Sequence, residues 1–220
     1  MMNKIEKIIS IGASCDSMFF CNQLNLRTKG PVDNMIGYFK YVYKLFNDDF
    51  LKSIINNNYS FSNTNIWDDY ELCQFDGYQM IHNDFKLKKT KIELLNRIQV
   101  FNEYCKEASK NNNYFFVYST IHTDHYLIKS DIINTFIMLP DYVKKRLLFV
   151  NGRMTEKNFS EIFNINYPVF TYDTELLRKS ENKQIVITMF SEFWKENKHF
   201  YEELNSCKYE DINIIQNEES

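Results

Sequence analysis

Cys15 is the residue of this sequence best placed to do chemistry. It closes the stretch IISIGASC, in which strand-forming residues Ile8, Ile9 and Ile11 meet Gly12 and two small residues, and a helical pattern follows over 16–26. A thiol at a helix start meets unbonded backbone N–H groups and the positive end of the helix dipole, and both favour the thiolate. The same N–H groups, near Cys15 and Asp16, can hold the oxyanion formed when a nucleophile adds to a carbonyl. Acyl chemistry is therefore the expectation for this corner. Ser14 shares it, but Gly12-x-Ser14-x-Asp16 lacks the second glycine of a nucleophile elbow and makes Ser14 the weaker nucleophile. Gly12, Ser14, Asp16 and Arg27 are the residues expected to contact a substrate.

A thiolate needs a base or an ion-pair partner, ordinarily histidine. The chain has four histidines. His82 lies in Met80-Ile81-His82-Asn83-Asp84-Phe85, at the end of a predicted strand with polar neighbours. His122 and His125 form His-x-x-His after a second predicted strand, a spacing also compatible with a metal pair that lacks an evident third ligand. His199 falls on the polar face of the last predicted helix. No G-x-G-x-x-G and no G-x-x-x-x-G-K-[ST] follows the first strand, which disfavours a nucleotide cradle, and no cofactor is expected.

The elements that must position these groups alternate. Strands are predicted at 4–11, 78–81, 114–118, 146–150, 168–172 and 184–189. Helices are predicted at 16–26, 35–55, 90–110, 129–138, 156–163, 173–181 and 190–205, with a short one ending at Lys145. Pro31 sits in a loop, Gly30-Pro31-Val32-Asp33-Asn34, as a helix breaker. The helix over 35–55 rests on the spacing of Met35, Phe39, Val42, Leu45, Phe46, Phe50 and Ile54. Residues 56–77 mix Asn, Ser and Asp with isolated aromatics and read as an irregular insertion; 206–220 reads as a polar tail. Uniformly apolar strands alternating with helices predict a single α/β domain, layered α/β/α on a mostly parallel sheet, with Cys15 at the first strand-to-helix turn. In such a sheet ligands bind beyond the carboxyl ends of the strands, which is where Gly12 to Cys15 would stand.

Composition narrows the classes further. With 44% hydrophobic residues, 19 Phe and 15 Tyr against 5 Gly and 3 Pro, the chain carries enough apolar ring surface to bury a sizeable core. A net charge of −3 argues against nucleic acid as a partner. No apolar run approaches the roughly 18 residues a membrane span needs, and Met1-Met2-Asn3-Lys4 runs straight into a strand, so no membrane partner and no signal peptide are expected. The five cysteines, Cys15, Cys21, Cys73, Cys105 and Cys207, are odd in number, widely spaced and without C-x-x-C. They predict a reduced, cytoplasmic protein whose thiols are mostly buried and inert.

Five short motifs in order resemble a bacterial and viral family described as papain-like cysteine peptidases. They are Gly12-Ala13-Ser14-Cys15, Leu26-Arg27, Pro31-Val32-Asp33-Asn34, His82-Asn83-Asp84-Phe85 and Phe115-Phe116-Val117, spread over residues 5–150. The family pattern has P-F-D-W and H-D-F where this chain has Val32 and Asn34 around Asp33, and Asn83 between His82 and Asp84. The resemblance implies Cys15 as nucleophile, His82 as its base, and Asp33 or Asp84 orienting the imidazole, in hydrolysis of an amide or ester. The β/α alternation is closer to SGNH-like hydrolases, whose G-D-S turn occupies the same corner. It is also similar to a capsule-biosynthesis acetyltransferase family with G-N-C-Q after its first strand, which implies transfer of an acyl group to a sugar as the alternative. A non-catalytic interaction module that keeps Cys15 for packing is the other alternative.

Overall fold

The structure, a computed structural model, describes residues 5–12, 15–33, 35–47, 49–56, 58–62, 72–75, 77–80, 86–119, 129–151 and 168–206. From the amino end the described elements are β1 (Lys7–Gly12), α1 (Cys15–Gln23), β2 (Arg27–Thr28), β3 (Met35–Gly37), a 3₁₀ segment (Phe39–Phe46) and α2 (Asp49–Ile55). Then come β4 (Ser60–Ser62), β5 (Leu72–Phe75), β6 (Tyr78–Met80), α3 (Lys88–Ala108), β7 (Tyr114–Ser119), α4 (Lys129–Met138) and α5 (Asp141–Lys144). The last are β8 (Leu147–Asn151), β9 (Val169–Thr171), α6 (Thr174–Arg178), a 3₁₀ turn (Ser180–Asn182) and α7 (Lys183–Ser206).

Five strands form one sheet in the order β2-β1-β7-β8-β9, with every neighbouring pair parallel. Both faces are covered, as the uniformly apolar strands require. On one face Ile8, Phe115, Val117, Leu148 and Val150 pack with Phe20 and Cys21 of α1 and with Val186, Phe190 and Trp194 of α7. On the other, Ile9, Ile11, Phe116, Tyr118 and Phe149 pack with Phe39 and Val42 of the 3₁₀ segment, with Leu94, Ile98 and Phe101 of α3 and with Phe136 of α4. The chirality of crossovers explains the split. The chain moves one way from β1 to β2 and the opposite way from β7 to β8, so right-handed connections place α1 and α4 on opposite faces. The predicted layered α/β/α architecture is observed, with Cys15 opening the first helix.

A second sheet, β3-β6-β5-β4, is antiparallel throughout and inserted between β2 and β7. Here the structure corrects the sequence expectation twice. The predicted helix over 35–55 is instead β3, the 3₁₀ segment and α2. The apolar positions are nonetheless buried, and 39-42-45 is a strict spacing of three, the period of a 3₁₀ rather than an α-helix. Residues 56–77 are not uniformly irregular, since they contribute β4 and β5; Cys73 in, Gln74 out, Phe75 in is the alternation of a strand with one covered face.

A third correction concerns 184–189, predicted as a strand and observed as the first turns of α7. Val186, Phe190, Trp194, Tyr201 and Leu204 form one buried stripe at helical spacing. That continuous period overrides the local β-propensity of Ile185-Val186-Ile187-Thr188. The predicted helix 173–181 divides into α6 and the 3₁₀ turn. The predicted helix 156–163 and the tail beyond Ser206 lie outside the described residues. No helix among the described residues is long and apolar enough to cross a membrane.

Candidate active site at the first strand-to-helix corner

The strand order reverses between β1 and β7, the switch point beyond whose carboxyl ends an open α/β sheet binds ligands. β1 ends there on Gly12, whose φ of +129° is a conformation that favours glycine. The ladder shifts register just before it, from Ser10 opposite Val117 to Gly12 opposite Tyr118, a bulge of the kind that re-aims a strand end. A Cβ on Gly12 would stand 3.4 Å from Tyr118 Cε2 and 4.0 Å from Tyr78 Cε1, so the rings of β7 and β6 both close on this corner. One turn earlier, Ser10 Oγ and Ser17 Oγ lie 2.6 Å apart in the interior and tie β1 to α1. This link fixes the start of α1 against the sheet.

Cys15 is the first residue of α1 and 9% exposed. Its packing partners are Met18 and Phe19 from its own helix and Ile36 from β3, all three partly exposed. Cys15 is thus buried against side chains that themselves reach solvent. Asp16 is 1% exposed and faces inward. Ser14, the other small residue of the corner, lies outside the described residues.

The loop after β2 reaches the same end of the sheet. Asp33 is fully buried there, and its Oδ2 accepts from Arg27 Nη2 at 2.7 Å and from the Gly30 N–H at 3.1 Å. Arg27 Nη1 donates to Asn22 Oδ1 of α1 at 3.0 Å, so one guanidinium ties helix, strand and loop together. Burial pushes the Asp33 carboxyl up, against the hydrogen bond and charge of Arg27, the Gly30 N–H and the charge of Arg97, all of which pull it down. Its second oxygen, Oδ1, is buried and makes no hydrogen bond among the described residues. The sequence placed Arg27 with the substrate and Asp33 with a histidine; the structure brings these two residues to each other.

His82 and Asp84 lie outside the described residues, as do His122 and His125. The last described residue before His82, Met80 of β6, pairs with Met35 of β3. His199 is exposed and lies 3.3 Å from Glu202, as its place on a polar helix face predicts.

Two further buried hydroxyls at this end were not singled out from sequence. Tyr78 of β6 and Ser119, the last residue of β7, are both shut from solvent, and neither hydroxyl has a hydrogen-bond partner among the described residues. Only their positions at strand ends could have drawn attention to them, since neither belongs to a motif. The other described thiols are also buried or partly buried. Cys21, Cys73 and Cys105 form no disulfide, and burial pushes all three up: Cys73 and Cys105 to about 12, Cys21 higher.

Comparison with known protein families, with curated proteins and with solved structures finds no match to this chain.

Proposed function

We propose that this chain is a cysteine-nucleophile acyl enzyme of hydrolase type, acting on an amide or ester, with Cys15 as nucleophile and His82 as base. The observation that carries this reading is the place of Cys15: first residue of α1, at the switch point of a five-stranded parallel sheet. In the reaction the Cys15 thiol gives its proton to His82, and the sulfur adds to the carbonyl carbon. The carbonyl π pair moves onto oxygen, where main-chain N–H groups at the start of α1 hold it. As the pair returns, the bond to the leaving group breaks, and the leaving group takes the proton from His82. Water or a sugar hydroxyl then releases the acyl group.

Asp33 is the better supported orienting carboxylate. Arg27 and Gly30 anchor one oxygen, and the other has no partner among the described residues. A peptidase substrate rests on the motif resemblance, and transfer to a sugar on the G-N-C-Q similarity.

Alkylation by iodoacetamide against pH, read by peptide mass mapping, tests the reading. Cys15 should react well below the pH of an ordinary thiol, about 8.5, and ahead of Cys21, Cys73 and Cys105. His82→Ala should move its profile up. Uniformly slow alkylation of Cys15 would overturn the proposal. It would favour the second reading, a non-catalytic module, which the 9% exposure of Cys15 supports. A Cys15-dependent transfer from acyl-CoA to a sugar, with negligible hydrolysis, would replace hydrolase by transferase.

A further inference from the structure

Ser119 ends β7, the strand directly across the switch point from β1, and pairs with Val150 on its far side. Side chains alternate along the strand: Phe115 and Val117 lie in the layer with α1 and α7, Phe116 and Tyr118 in the layer with α3 and α4. The Ser119 side chain therefore falls on the α1 face, at the end of the sheet where Cys15 opens that helix. α1 packs against both β1 and β7 there. Ser119 is fully buried, yet its hydroxyl neither donates nor accepts a hydrogen bond among the described residues. The buried serines Ser10, Ser17 and Ser53 all have partners, the first two in each other and Ser53 in the Phe50 carbonyl. Leaving a buried hydroxyl unsatisfied costs stability, and a strand that needed only a small residue here could carry alanine.

We infer that Ser119 is a further catalytic residue of the Cys15 site, whose hydroxyl donates a hydrogen bond to the substrate's carbonyl oxygen as it becomes an oxyanion. This rests on the acyl-enzyme reading above and adds a side-chain donor from β7 to the main-chain donors of α1. The hydroxyl, without a partner among the described residues, is then the donor of a hydrogen bond that forms with substrate. A donor set from α1 and β7 holds the oxyanion from two sides, whereas α1 alone holds it from one.

The test compares two reactions of the same sulfur in the wild type and in Ser119→Ala. With p-nitrophenyl acetate the sulfur adds to the carbonyl, an oxyanion forms, and p-nitrophenolate leaves; a burst equal to the enzyme concentration, absent in Cys15→Ser, reports acylation. With iodoacetamide the sulfur displaces iodide directly and no oxyanion forms. Ser119→Ala should slow the burst about 100-fold, leave Cys15 alkylation by iodoacetamide within about twofold, and leave Tm unchanged or raised. An unchanged burst in Ser119→Ala would overturn the role of Ser119 while keeping Cys15 as nucleophile. An equal slowing of both reactions, or a marked fall in Tm, would show that Ser119 serves the fold and overturn it likewise. A wild-type protein with no Cys15-dependent burst would remove the acyl-enzyme reading and this inference with it.

Discussion

The two sheets of this protein reach burial by different means. The parallel sheet is covered on both faces, and its central strand β7 is buried at every position from Tyr114 to Ser119. Its stability is spread over aliphatic and aromatic side chains from the helices packed on both faces and from the 3₁₀ segment. The antiparallel sheet has strands of three or four residues and leans on a few rings. A Cβ on Gly37 would lie 2.5 Å from the ring of Tyr78, its partner across β3 and β6, so that ring occupies the space a side chain would fill. Tyr78 then packs edge-on to Phe50, with centroids 5.3 Å apart. The broad sheet supplies a rigid end for Cys15, while the narrow one supplies its cover through Ile36. Under the proposed acyl-enzyme reading, a rigid base under a locally held cover is the division that positioning a nucleophile and admitting a substrate would both need.

The largest effect that would sharpen this contrast is Phe116→Ala. Phe116 is fully buried at the centre of β7 and meets the rings of Phe46, Tyr104 and Tyr142 at 5.5 to 5.9 Å. Its loss should destabilise the fold by about 4 kcal/mol, seen in denaturant midpoint, and lower hydrogen-exchange protection in both sheets. Protection lost only in the antiparallel sheet would mean that the parallel sheet is not the foundation. Next comes Arg27→Ala, which leaves the Asp33 carboxylate buried without its cation and should cost about 3 kcal/mol at neutral pH. The sign with pH follows from burial, which raises Asp33 above its ordinary value. Its charge is the unfavourable form in the fold, so stability is greatest where Asp33 is protonated and falls as pH rises through the folded value. Arg27→Ala removes the main opposing cation, so its penalty should be smaller near pH 4 than at pH 7. A penalty independent of pH would show that Arg27 acts by packing and not by charge.

The same contrast governs what the sequence discloses. Four strands of the parallel sheet are legible because burial on both faces makes them largely apolar runs, as in Leu147-Leu148-Phe149-Val150. The edge strand β2, only Arg27-Thr28, carries no such run and is not legible. The Gly12–Cys15 corner is legible because a glycine, small residues and a change of period coincide there. The antiparallel sheet is not, because three-residue strands are too short to display a period of two, and Met35-Ile36-Gly37 merges into the apolar spacing of the 3₁₀ segment that follows. Val186 to Leu204 carried a helical period, but the β-branched run Ile185-Val186-Ile187-Thr188 masked its start. The tie between Arg27 and Asp33 was invisible for another reason: both residues were found, but pairing between a strand and the loop after it depends on where that loop folds back.

Gly37→Ala should touch the second sheet alone. The added methyl meets the Tyr78 ring, which Phe50 and the Gly12 corner hold on other sides, and forcing it aside should cost about 1–3 kcal/mol. The cost should appear as faster exchange of the Tyr78 and Met80 amides with little change in β7 and β8. Equal loss in both sheets would mean they open as one unit and dissolve the distinction between base and cover.

The smallest effect leaves stability unchanged and reads the two sheets through their own thiols. Cys73 is buried in the antiparallel sheet and Cys21 beneath the parallel one, both fully shut from solvent and both held protonated by burial. Neither can react until its surroundings open, so each alkylation rate measures the local opening equilibrium multiplied by the rate of an exposed thiol. If the antiparallel sheet opens on its own, Cys73 should be alkylated faster than Cys21 in native buffer, and Gly37→Ala should accelerate Cys73 while leaving Cys21 as it was. Phe116→Ala should accelerate both, because it acts on the foundation they share. Cys21 reacting as fast as Cys73 in the wild type would place the weaker contacts at α1 instead, the helix that Cys15 opens, and the corner would then lack the rigidity that the proposed chemistry requires.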